Sequence, residues 1–175
     1  MIELHIGRQT FDFDCGAKAL QTVMAYYGVD VREDELITGL KTTQEGTRPV
    51  NMKLVAKSHG FKVKSGTGWT MEDIKWYMNA GTPVIVLLQA WADRFMTLED
   101  WSKTYEYGHY AIVIDTANEI VVFEDPASFR RTWLAESEFL SRWHDRDPQT
   151  HRKVERFGMV LLGKEPVEPA PKHMD

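Results

Sequence analysis

The chain has 175 residues, 43% hydrophobic and 27% charged, which is the length and make-up of a single globular domain with a real core. A formal charge of −5 argues against a nucleic-acid partner, whose phosphates select clustered Lys and Arg; Arg130-Arg131 is too short a run to serve. Cys15 is the single cysteine, so no intrachain disulfide forms and a structural zinc site is improbable.

The longest apolar run, Pro83 to Leu88, is far short of the roughly 20 residues that a membrane span needs, and no membrane insertion is expected. The first fifteen residues lack a basic start followed by an apolar stretch, so the expected location is cytoplasmic. No Gly-rich phosphate loop and no zinc-type ligand spacing is present, so neither cofactor nor metal is expected.

From the N-terminus, GRQTFDF reads as a loop. Asp14 to Gly28 then reads as a helix, with Leu20, Val23, Met24 and Tyr27 at helical spacing, Asp14 as N-cap and Gly28 just past the end. Asp34 to Leu40 is a short helix. Pro49 opens another that Gly60 closes, with Met52, Val55 and Ala56 on one face. Phe61 to Lys64 is a short strand, and Thr70 caps a helix running to Ala80.

The pattern then changes. PVIVLLQ is a buried strand, and YAIVID and EIVVFED form an antiparallel hairpin about the turn-like TAN. The stretch between them, 90–107, is long for a connection and rich in aromatics (Trp91, Trp101, Tyr105, Tyr107); Thr97 to Lys103 is read as a helix inside it. Leu134 to Trp143 is a helix with Phe139, Leu140 and Trp143 inward, the charged segment HDRDPQTHRK a solvated loop, and GMVLLG the last strand. Helices first and strands after favour an α+β domain over 1–164, with a disordered, proline-containing tail at 165–175.

Cys15 falls at the first position of a helix, where the positive helix end favours a thiolate, the reactive form of a thiol. A lone cysteine is more often a small buried hydrophobe, but this one stands at the helix start and not on the apolar stripe. Gly16 beside it lets another segment approach closely. Of six histidines, His109 alone begins a strong strand, which aims its ring. The hairpin brings the end of the next strand, Asp125-Pro126, beside it, so Asp125 either orients the imidazole or caps a turn. Gln9, six residues before Cys15, is either an oxyanion donor or an ordinary loop glutamine; spacing leaves both open.

These blocks resemble a known family. Gln9, Asp14-Cys15-Gly16, Ala19-Leu20 and Tyr26-Tyr27-Gly28 look like the nucleophile segment of the bacteriocin-processing double-glycine peptidases, family thirty-nine of the cysteine peptidases in the papain-like clan. Gly108 to Val113 followed by Asp125-Pro126 resembles that family's His and Asp blocks. PVNMKLVAKSHGF, MEDIKWYMNAGTPVIVLL and ESEFLSRWHDR resemble its middle and late segments, so the likeness covers roughly residues 8 to 163.

The resemblance implies an α+β papain-like fold, with the thiol on a helical lobe packed on an antiparallel sheet lobe carrying His and Asp. It implies that Cys15 attacks a peptide carbonyl, His109 manages protons, Asp125 orients His109 and Gln9 helps bind the oxyanion, through a thioester acyl-enzyme. The partner is then a peptide or protein substrate, and the family's substrate is a leader cut after Gly-Gly. The best-known members are fused to transporter modules, and these residues contain none. Two other readings fit the same residues: an acyltransferase or amidase on the same scaffold, and a non-catalytic peptide-binding module.

Overall fold

The apolar stripe read between residues 15 and 27 folds as helix α1 (Cys15–Tyr26), and Leu20, Val23 and Met24 on it are fully buried. The computed structural model describes residues 1–4 and 7–167. Further along come α2 (Glu33–Gly39), α3 (Pro49–Ser58), strand β1 (Lys62–Gly66), α4 (Met71–Asn79) and β2 (Val84–Gln89). They are followed by α5 (Leu98–Lys103), β3 (Gly108–Ala117), β4 (Ile120–Glu124), β5 (Thr132–Ala135), α6 (Glu136–Arg142), β6 (His144–Arg146), β7 (Lys153–Glu155) and β8 (Phe157–Leu162). Thr70 and Thr97 each accept a hydrogen bond from the backbone N–H three residues on, and the Asp there bonds back, so α4 and α5 start on reciprocal caps.

Six strands form one antiparallel sheet in the order β1-β8-β2-β3-β4-β5, and β6 and β7 pair as a separate ribbon. β2 lies inside the sheet with helices over both faces, which is why PVIVLLQ is apolar without alternation. Ile85 and Leu87 join the core under α1, with Tyr110, Ile112 and Ile114 of β3. Val84, Val86 and Leu88 join the opposite core, with Ile74 and Tyr77 of α4, Phe139 of α6, and Trp143 just beyond it. Each fully buried aliphatic side chain here stabilises by about 1.5–3 kcal/mol.

The β3–β4 hairpin turns on Asn118 and Glu119, both at positive φ, as a tight two-residue turn with right-handed strand twist demands. A register irregularity between Val113 and Asp115 follows it. The last pairing is Ile112 with Glu124, so β4 stops while β3 runs on to Gly108.

Several expectations are corrected. The segment read as one helix from Leu134 is strand β5 up to Ala135, with α6 starting only at Glu136; Leu134 pairs with Val121 across the sheet. Leu140 is 39% exposed and not inward. The charged stretch after Trp143 is not a solvated loop at its start: β6 pairs with β7, and His144 is buried with its Nε2 2.9 Å from the Thr104 carbonyl. Polar composition hid these strands because their stability comes from the ladder and from packing on β2, not from an apolar run. Asp14 does not cap α1 with its side chain; its carboxylate accepts the Thr10 and Phe11 amides at 3.2 and 3.1 Å, folding the preceding loop back on itself. Of the tail, Val167 donates its N–H to the Tyr26 carbonyl at 3.0 Å, and residues from 168 on lie outside the described residues.

Candidate active site

The end of β4 opens the site. Beyond Glu124 the edge of β3 has no β4 partner, and the Tyr110 amide there meets the Cys15 Sγ at 3.5 Å. The thiol thus occupies the place where the neighbouring strand would have continued. Cys15 is brought there because α1 packs closely on β3. A Cβ added at Gly16 would lie 2.8 Å from Thr47 Cβ and 3.1 Å from Tyr110 Cδ2, so only glycine allows this approach. Tyr110 in turn donates its hydroxyl to the Thr47 carbonyl at 2.9 Å, tying the loop before α3 to the same point.

His109 alternates onto the sheet face of Ala111 and Val113, one residue before Tyr110, whose amide meets the Cys15 thiol at the strand's free edge. The His109 Nε2 is 2.7 Å from Asp125 Oδ1, and both side chains are buried. Burial by itself disfavours the imidazolium. The hydrogen bond to Asp125 and the influence of the nearby Asp125 carboxylate and Cys15 sulfur outweigh it and hold His109 above the ordinary histidine range. Burial likewise pushes the Asp125 carboxyl up, but its hydrogen bonds to His109, Ala127 and Thr132 and the His109 charge bring it below the usual carboxylate value.

Both oxygens of Asp125 are engaged. Oδ1 accepts the Ala127 N–H at 2.9 Å beside His109, and Oδ2 accepts the Trp91 indole N–H at 3.2 Å and the Thr132 hydroxyl at 3.1 Å. Neither Trp91 nor Thr132 was singled out as a site residue from sequence. Trp91 lay in the aromatic stretch 90–107, but nothing in the chain's pattern ties that stretch to Asp125.

Gln9 is held next to the pair by its backbone, which donates to the Pro126 carbonyl at 2.8 Å. Its side-chain nitrogen donates to the Phe11 carbonyl at 2.6 Å, and its Oε1 is buried with no partner among the described residues. Gln9 lines a hollow with Phe11 and Ala127 that shares Asp12 with the cleft at Cys15. Of the other histidines, His59 follows α3 and His144 is bonded to Thr104; His151, in the β6–β7 connection, lines the cleft at Cys15 without a hydrogen bond to Cys15 or Asp125, and His5 and His173 lie outside the described residues.

The cleft at Cys15 has a volume of about 450 Å³, with Leu87, Tyr105, Gly108, Tyr110 and Asp145 among its walls. Asp145 presses on Gly108, where any side chain would collide with its carboxylate, and accepts the amide N–H of buried Gln89 at 2.9 Å. Burial pushes the Asp145 carboxyl up to about 6, against the pull of the Arg146 backbone N–H and Gln89. A second hollow of about 230 Å³, largely apolar, touches His109 and Asp125 and is walled by Trp91, Thr132 and Trp133. Among the described residues no cluster of His, Cys, Asp or Glu is placed to hold a metal ion, and no helix is long and apolar enough to cross a membrane.

Because Gly16 sets the distance between α1 and β3, Gly16→Ala is expected to destabilise the fold by about 1–3 kcal/mol. By displacing the thiol, it should also lower kcat/KM by about 10- to 100-fold. Thermal melting and peptide turnover on the same preparation check both, and an unchanged rate would show that the glycine does not set the thiol's position.

A thiol at a helix start facing an imidazole–carboxylate pair on an antiparallel sheet defines a papain-like cysteine peptidase. The chain belongs to the Peptidase C39 family, whose family model matches residues 3–146. It is similar in structure to the peptidase domain of Streptococcus ComA, a bifunctional ABC transporter involved in quorum sensing, with a TM-score of 0.65 and 22% identity over 94% of this chain and 100% of that one. A C39-like peptidase from Bacillus anthracis superposes with a TM-score of 0.70 at 17% identity, covering 91% of this chain and 94% of that one. A double glycine motif protease from an AMS/PCAT transporter, solved with its leader peptide, gives 0.63 at 16% identity, covering 91% of each chain. No curated protein matches the chain significantly.

Proposed function

We propose that Cys15, His109, Asp125 and Gln9 carry out peptide-bond hydrolysis, and that the bond cut follows Gly-Gly in a leader or modifier peptide. The observation that supports the roles is the buried Asp125–His109 pair, 2.7 Å apart, on the strand whose next residue, Tyr110, meets the Cys15 thiol with its amide at 3.5 Å, at a cleft that Cys15 lines.

In this reading the sulfur of Cys15 attacks the scissile carbonyl carbon while His109 holds the thiol's proton. The tetrahedral oxyanion accepts one N–H of Gln9, whose amide has a second N–H beyond the one given to Phe11, and the Cys15 backbone N–H. Collapse breaks the C–N bond as His109 protonates the leaving amine, leaving a thioester. Water then attacks the thioester, gives a proton to His109, and releases the acid and the thiol. The preference for Gly-Gly is supported by family membership and by the double-glycine relative that binds a leader peptide.

The test is cleavage of matched peptides carrying Gly-Gly, Gly-Ala or Ala-Gly before the scissile bond, with products located by mass spectrometry. Cleavage confined to the Gly-Gly peptide is expected, with at least about 100-fold discrimination if an added methyl meets a wall that cannot yield. Equal cleavage of all three would remove the Gly-Gly assignment while leaving the peptidase.

A further inference from the structure

Trp91 has three properties that packing alone does not explain. It is 57% exposed, so its ring is not there to fill a core. Its backbone sits at φ +61°, a left-handed conformation that bulky residues rarely adopt. Its indole N–H nevertheless reaches Asp125 Oδ2 at 3.2 Å. An outlying backbone that delivers one polar atom to a reacting group is the pattern of stored local strain at a working site.

The surroundings hold Trp91 to that task. Ala90 donates its N–H to the Tyr107 carbonyl at 2.9 Å, and the Tyr107 N–H donates to Gln89 Oε1 at 2.9 Å, so the two ends of the excursion that begins at Trp91 are clamped together where β2 ends. Gln89 is itself fully buried and also donates to the His144 carbonyl and to Asp145. The indole therefore projects from a rigid point of the sheet.

We propose that Trp91 is a positioning residue for the reaction: its indole N–H holds Asp125 in the one rotation that keeps Oδ1 aimed at the His109 Nε2. The proposal rests on the roles given above to His109 and Asp125. The other partner of Oδ2, the Thr132 hydroxyl, can turn to donate or accept and so tolerates either orientation and either protonation state of the carboxyl. An indole N–H only donates, so it offers nothing to a protonated Oδ2 and selects the ionised carboxylate in one pose. The carboxylate pose in turn sets the plane of the imidazole that faces Cys15.

Trp91→Phe keeps an aromatic ring and removes the N–H. With a peptide that the parent enzyme cleaves, kcat is expected to fall roughly 10- to 150-fold, the range for one lost hydrogen bond to a charged group, with KM unchanged. Iodoacetamide gives a second readout that needs no substrate, because Cys15 is the only thiol, and its alkylation should slow in the same variant. The deciding measurement is Trp91→Phe in an Asp125→Ala background. If the indole acts through the carboxylate, it causes no further loss there. An equal loss in both backgrounds would overturn the proposal and leave a packing role only, as would unchanged kcat and alkylation in the single variant. Asp125→Ala alone tests the underlying reading. If it loses activity while Trp91→Phe does not, only the inference about Trp91 fails; if it keeps full activity, the role of Asp125 fails first.

Discussion

Cys15→Ala should lose peptide cleavage altogether, by a factor of at least about 10⁴, and should melt within a few degrees of the parent protein. The rate falls because alanine offers no nucleophile and the oxyanion donors have no covalent intermediate to stabilise. The fold survives because the change removes one sulfur from a site that is small to begin with. The Tyr110 amide loses a weak acceptor at 3.5 Å, and the Gly16 contacts with Thr47 and Tyr110 that seat α1 on β3 do not involve the sulfur. The check is turnover of a peptide the parent cleaves, beside a thermal melt. Cleavage at the parent rate by the folded variant would remove Cys15, and with it the thioester, from the mechanism. Retained peptide binding by the inactive variant is expected, since the walls of the cleft are untouched.

Asp125→Ala should be the most destabilising change at the site, costing about 3–5 kcal/mol, because it leaves one member of a buried pair without its partner. Four donors lose their acceptor together: the His109 ring, the Ala127 amide, the Trp91 indole and the Thr132 hydroxyl. For a chain of this length that loss lowers the melting temperature by on the order of 10 °C. Turnover should fall by roughly 10²–10⁴-fold, as the imidazole is no longer oriented or stabilised as a cation. Asp125→Asn keeps one acceptor oxygen, so it should melt between the two, with one pair of donors facing an amide nitrogen.

The pH dependence of that destabilisation has a definite sign. The folded Asp125 carboxyl lies below its ordinary value, so its share of stability is present above about 4 and is lost as pH falls through the lowered value. The folded His109 ring lies above its ordinary value, so its share is complete below about 6.5 and is lost as pH rises through the raised value. The gap in melting temperature between parent and Asp125→Ala should therefore be widest between about pH 4 and 6.5 and should narrow on both sides. A gap that grew steadily with pH into the alkaline range would contradict the ion-pair account.

The parts of this molecule legible in the chain are those set by near neighbours. The stripe of Leu20, Val23 and Met24 specifies α1, and Thr70 with Asp73 marks the start of α4. The two apolar runs around Asn118-Glu119 specify the β3–β4 hairpin. A hairpin pairs the start of one strand with the end of the next, and this is why His109 and Asp125, 16 residues apart, could be matched from sequence. Less legible were short polar strands such as β6 and β7, where no periodicity survives over three residues. The Asp14 side chain was misread because an acid before a helix can turn forward to cap it or backward to the preceding loop, and here Thr10 and Phe11 take it.

Helix periodicity, turn chemistry and hairpin pairing reach only a few residues along the chain, so the sequence by itself determined the longer helices and apolar strands, the α+β class and the nearness of Asp125 to His109. The tertiary structure alone decided that β4 would stop at Glu124 and leave the edge of β3 to a thiol from 95 residues earlier. It alone decided that the Trp91 indole would close on the far oxygen of Asp125. Those contacts depend on how closely whole helices and strands pack, through residues such as Gly16 and Gln89 whose effect is exerted only once distant segments have met.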